Sequence, residues 1–133
     1  MSLFFFILSV FSTSNAQDFF FKDYTYQSNI KSVKFHLLNL ELTYPIIDLN
    51  SSGQLHLSFD ELDEDVKDYN YTVIHCDADW TPSDLSEMEY LRGFAEDRID
   101  DFNYSFSTFA NYTHYDLFLP NEDIAWTKSG NYL

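Results

Sequence analysis

The chain has 133 residues, one ordinary domain at most, and 22 acidic side chains against 7 basic ones give it a formal charge of −15. Phosphate backbones and anionic bilayers are held by lysine and arginine, so nucleic acid and anionic membrane surfaces are poor partners for it. An aromatic share of 20% supplies enough buried area for a real core and excludes disorder for the bulk.

Residues 1–16 carry no charged side chain and centre on an apolar run from Leu3 to Phe11 that is too short to span a bilayer. Ser14 and Ala16 have the spacing a signal peptidase reads, so 1–16 is expected to be a signal peptide and the mature chain an exported one. Residues 17–29 are aromatic and polar without a period, which predicts an N-terminal arm. The domain proper is expected over 30–133.

From Ile30 the pattern sharpens. Lys31, Val33, Phe35 and Leu37 alternate with Ser32, Lys34, His36 and Leu38, a strand with one face half wet. Tyr44-Pro45 sets an extended or turn conformation, and Asn50 to Gly53 is a turn. Leu55, Leu57 and Phe59 against Gln54, His56 and Ser58 form the cleanest half-buried strand. The acidic run from Asp60 to Asp68 reads as a solvated loop, because it lacks the glycine and the terminal bidentate glutamate of a calcium loop.

Tyr69 to Cys76 reads as the central strand of a sheet, buried on both faces. A helix is expected directly after it, capped by Thr81, with Pro82 at its first position, Leu85, Met88 and Leu91 along one face, and Gly93 just past its end. Phe102 to Phe109 and His114 to Leu119 alternate as two further strands, and Trp126 fits a short one. Ser129 to Leu133 reads as a turn entering a strand that the chain does not complete, so the chain is expected to be the N-terminal part of a longer protein. Short strands about every ten residues with one brief helix predict an all-β fold, an Ig-like antiparallel β-sandwich with one short helix after the central strand. Segments long enough for βαβ crossovers are absent.

His75, Cys76, Asp77 and Asp79 stand together and invite a metal reading. Adjacent strand residues point to opposite faces, so His75 and Cys76 cannot both ligate one ion, and no second Cys or His follows at zinc-ligand spacing. Asp77 and Asp79 fit hydrogen-bond acceptors at the turn. Cys76, the single cysteine, reads as a buried, inert thiol, and Trp80 as a core residue between strand and helix. No serine elbow, phosphate-binding glycine loop or dinucleotide fingerprint occurs.

Those residues carry a resemblance. Ile74-His-Cys-Asp-Ala-Asp-Trp-Thr-Pro-Ser-Asp-Leu85, followed by Glu89-Tyr-Leu-Arg-Gly-Phe94, Tyr104 to Thr108, Leu119-Pro-Asn121 and Ser129-Gly-Asn-Tyr132, is similar to the N-terminal domain of the type IX secretion system plug protein family. The resemblance implies an exported, non-enzymatic component with no cofactor, located in the periplasm at the outer membrane. Its partner would be the outer-membrane β-barrel translocon, whose periplasmic side it plugs without inserting into the membrane itself. No catalytic, cofactor-binding or metal-binding residue is assigned, and His75, Cys76, Asp77, Asp79, Trp80, Pro82, Ser83 and Gly93 are read as the structural chemistry of a strand-helix corner. Two other readings compete. A carbohydrate-binding sandwich needs Trp80, Trp126 and Tyr90 exposed on one face, and a metal-assisted hydrolase needs His75, Asp77 and Asp79 to converge.

Overall fold

Alternation sustained over seven residues fixes which side of a strand meets the core, and the main sheet forms where the alternation runs longest. The computed structural model describes residues 24–63 and 65–133. The predicted leader, and the predicted arm up to residue 23, lie outside the described residues. In chain order the elements are β1 (Ile30–Leu37), β2 (Leu55–Glu61), β3 (Asn70–Thr72), β4 (His75–Cys76), α1 (Glu87–Tyr90), β5 (Leu91–Gly93), β6 (Glu96–Arg98), β7 (Asp101–Tyr104), β8 (Thr113–Leu119), β9 (Ile124–Trp126) and β10 (Asn131–Tyr132).

A four-stranded antiparallel sheet runs in the order β1, β2, β8, β7. Its two inner strands set Leu55 against Leu119, Leu57 against Leu117 and Phe59 against Tyr115, all on one face. Phe59, Tyr115, Leu117, Leu119 and Ile99 make the main core, and Tyr69, Tyr71 and Trp126 pack onto it from the small ribbons. The other face is polar. His56 lies 2.6 Å from Asp116 Oδ1, and His114 Nδ1 lies 2.6 Å from Asp60. Three two-stranded ribbons, β3 with β6, β4 with β10 and β5 with β9, complete an all-β, antiparallel, sandwich-like fold, as the sequence predicts.

Several local expectations are corrected. The segment 69–76 is not the centre of a sheet; it divides into β3 and β4, which join different ribbons, while β2 and β8 hold the centre. Its apolar pattern has another cause: Val73 sits in a second core with Tyr90, Leu91 and Ile124, and Ile74 exchanges both backbone hydrogen bonds with Leu133. Burial on two sides can come from two partners as well as from one sheet. In β1, the left-handed Ser32 (φ 53°) and a register shift between Lys31 and Lys34 break the alternation, so Val33 and Phe35 are exposed while His36 is buried.

The acidic run is not wholly a solvated loop. Glu61 is the last residue of β2 and is fully buried. Asn29 Nδ2 and the Asp63 amide donate to its Oε1, Tyr69 OH donates to Oε2 at 3.3 Å, and Lys67 Nζ lies 3.1 Å from the carboxylate. Only β7 survives of the strand predicted over 102–109, and Phe106 and Phe109 are exposed beyond it.

Candidate functional site

The corner after β4 is built from side chains that bond to the backbone rather than from regular structure. His75 is buried, and its Nε2 faces the Ser129 carbonyl at 3.3 Å. A carbonyl only accepts, so Nε2 carries the proton; Nδ1, 2.8 Å from Ser83 Oγ, then accepts from the Ser83 hydroxyl. The Ser83 amide returns to the His75 carbonyl at 2.9 Å, and Pro82 bridges to Cys76. Residues 81–83 are therefore held extended alongside β4.

That pairing corrects the predicted helix. Thr81 does not cap it, and Pro82 is not its first residue; the chain turns helical only at Glu87, for a single turn. The Ser86 amide and hydroxyl both donate to the Glu89 carboxylate at 2.8 Å, the reach-back half of a capping box. Those two bonds hold the Glu89 carboxyl below its ordinary range. Leu91 already belongs to β5. Gly93 does not end the helix either: it lies in β5 at φ +106°, opposite Ile124, where a Cβ would stand 1.8 Å from the Asp123 carbonyl oxygen. Only glycine fits there.

Between Cys76 and Pro82 the chain makes a tight turn. The Asp77 amide donates to the Thr81 carbonyl at 2.9 Å, and the Asp77 carbonyl accepts from the Trp80 amide at 3.0 Å and from Asn131 Nδ2 at 3.1 Å. Asp79 Oδ1 accepts from the Thr81 hydroxyl at 2.6 Å and its amide at 3.1 Å, which holds the Asp79 carboxyl below its usual value. Trp80 is left at φ +66°, a conformation bulky residues avoid, and the residue is 43% exposed. It is not a core residue, contrary to the expectation. The turn bonds fix a backbone that carries Trp80 outward.

His75, Asp77 and Asp79 do not converge. The imidazole points inward between Ser83 and Ser129, with Tyr90 and Tyr132 rings 5.6 and 5.1 Å away, whereas Asp77 and Asp79 are exposed. Among the described residues, no three His, Cys, Asp or Glu side chains are grouped to hold a metal ion. Burial raises the pKa of the Cys76 thiol, 1% exposed, and so keeps it protonated. The aromatic trio does not form one face, since Tyr90 is buried with its hydroxyl donating to the Val73 carbonyl and Trp126 packs against both cores.

Residues 30–133 match the family model described as the type 9 secretion system plug protein 1st domain. The chain belongs to that family. A crystal structure of a hypothetical protein from Parabacteroides merdae ATCC 43184 resembles this plug domain with a TM-score of 0.77 and 40% identity, over 80% of this chain and 27% of that one. The chain thus spans just over a quarter of that relative's length. No curated protein matches it.

The plug-domain corner also uses residues that reading along the chain did not single out. Gly130 is one: a Cβ there would lie 2.3 Å from His75 Nε2, so the imidazole fills the space a side chain would need. Gly130 and His75 are far apart in sequence, and only the pairing of β4 with β10 brings them together. The Ser86–Glu89 pair was legible, because Ser-x-x-Glu at 86–89 is itself a helix-start signal.

Proposed function

We propose that the domain is a non-catalytic, exported component of the type IX secretion machinery that helps to close the periplasmic side of an outer-membrane β-barrel translocon when no cargo is engaged. Family membership supports this reading, and one observation carries it: the polar groups of the corner are used on one another. His75 bonds Ser83 and Ser129, Asp79 bonds Thr81, and Glu89 bonds Ser86, so the block that defines the resemblance shapes a surface. No helix among the described residues is long and apolar enough to cross a membrane. An acidic exterior favours encounter with a basic rim, through rate more than tightness. The test is co-purification of the full-length protein with the outer-membrane barrel from cells lacking cargo. Retention of the barrel, weakened by raised salt, is the expected result; repeated absence of the barrel from the eluate would overturn the reading.

A further inference from the structure

At one end of the main sheet β2 and β7 stop and β8 begins. The last pairs set Glu61 opposite Thr113 and Tyr104 opposite Thr113, so these three residues form a row across the core face. Beyond the row, two bonds tie off the hairpin between β7 and β8: the Ser105 amide donates to the Tyr112 carbonyl at 2.9 Å, and the Tyr112 amide donates to Ser105 Oγ at 2.9 Å. Among the described residues, Asp63, Tyr104, Ser105, Asn111, Tyr112 and Thr113 line a solvent-open hollow of about 150 Å³ at this end. Thr113 is 1% exposed and Tyr104 is 66% exposed, so the hollow reaches from the edge of the core out to an open aromatic ring. A cavity of that volume holds one six-membered ring.

The lining restricts the ligand. A cation finds no free carboxylate, because Asp63 is paired with Lys67 and accepts from Asn29 Nδ2 at 3.1 Å, contacts that hold its carboxyl below the ordinary range. An anion finds no free ammonium, because Lys67 is held between Asp63 and Glu61, and the net charge of −15 opposes its approach. What is left is neutral. The Tyr104 and Tyr112 hydroxyls and the Asn111 amide bond to nothing else among the described residues, and Ser105 Oγ, accepting from the Tyr112 amide, keeps its own proton to donate. Hydroxyl and amide groups both donate and accept, which matches the hydroxyl rim of a pyranose, and a tyrosine ring covers the apolar C–H face of such a sugar. A small number of polar groups beside aromatic walls is the usual make-up of a ligand site. These residues are distinct from Trp80, Trp126 and Tyr90, which do not share a face.

From these observations we infer that the hollow at the base of the β7–β8 hairpin is a subsite for one neutral hexopyranose ring, free or at the end of a glycan, with the tyrosine rings against its C–H faces and Ser105 and Asn111 bonding its hydroxyls. The subsite does not depend on the plugging role, so failure of the barrel co-purification leaves it standing. The test is saturation-transfer NMR on the full-length protein with a panel of methyl hexopyranosides, and with tetramethylammonium and acetate as charged probes. At least one hexoside is expected to bind in the millimolar range, the strength a single exposed ring reaches. Tyr104→Ala, at an exposed position, should weaken that binding several-fold, whereas Tyr104→Phe keeps the ring and should leave it nearly unchanged. Asn111→Ala should alter which hexoside is preferred. A disaccharide glycoside that binds more tightly than the single rings assigns the subsite to a glycan end, and equal binding assigns it to a free sugar; either supports the inference. Absence of transfer to every hexoside at about 10 mM, or hexoside binding indifferent to Tyr104→Ala, would overturn it. So would transfer to tetramethylammonium or acetate that is lost in Tyr104→Ala, which would make the hollow a site for a charged ligand.

Discussion

The four-stranded sheet and the corner after β4 reach order by opposite means. In the sheet, β8 buries every second residue along a seven-residue ladder with β2, and the identity of any one surface residue matters little. In the corner no strand exceeds three residues and the helix is one turn, so individual side chains and two glycines set the path. Stability concentrated in packing tolerates exchange of shape for shape; stability concentrated in specific bonds does not.

The largest effect is expected from the sheet. Tyr115 is fully buried, stacks on Phe59 with ring centroids 5.1 Å apart, and meets Tyr69 edge-on. Its hydroxyl accepts from the Lys67 amide at 3.0 Å and donates to the Lys67 carbonyl at 3.1 Å, which ties the acidic segment to the core. Tyr115→Ala should cost about 3–5 kcal/mol in urea unfolding, mostly from the cavity. Tyr115→Phe keeps the packing and removes the tie, for about 1–3 kcal/mol. Equal losses in the two variants would show that the hydroxyl, not the ring, dominates, and the contrast between packing and bonding would fail in the region where packing is strongest.

The next effect belongs to the corner. Gly93→Ala places a side chain at φ +106° and against the Asp123 carbonyl, so β5 must part from β9. The conformation alone costs about 1–3 kcal/mol, and the clash adds to it. Hydrogen exchange should show lost protection at Leu91 and Ile124, with the β2 and β8 amides little changed. Uniform loss across the molecule would mean that the two regions unfold as one unit.

What could be read in advance follows the same division. Strand periodicity is local, so β2 and β8 and their inward residues were legible from Leu55, Leu57, Phe59, Tyr115, Leu117 and Leu119 alone. The burial of Glu61 was not, because its partners Asn29 and Lys67 sit on segments without a period. In the corner, Thr81-Pro82 carries a true helix-start signal that pairing across the tight turn, Pro82 with Cys76 and Ser83 with His75, overrides. Trp80 was misplaced for a related reason: hydrophobicity argues for burial, whereas the turn bonds of Asp77 and Asp79 decide where the residue points.

The smallest effect tests whether the corner's bonds are electrostatic. Glu89 accepts from the Ser86 amide and hydroxyl, and its carboxyl is held below the ordinary value of 4.5. A carboxyl whose pKa is lower in the folded state stabilises at any pH above its unfolded value, and that contribution fades as pH falls through the folded one. Glu89→Gln keeps an acceptor for Ser86 but removes the charge. The melting temperature of the variant should therefore fall slightly below that of the parent at neutral pH, and the gap should narrow progressively as pH falls below the ordinary glutamate range. Because the group is solvent-exposed, salt should narrow the gap as well. A gap that persists unchanged in acid would mean that Glu89 acts through shape, like the core of the sheet, and would leave no charge-dependent component in the capping of α1.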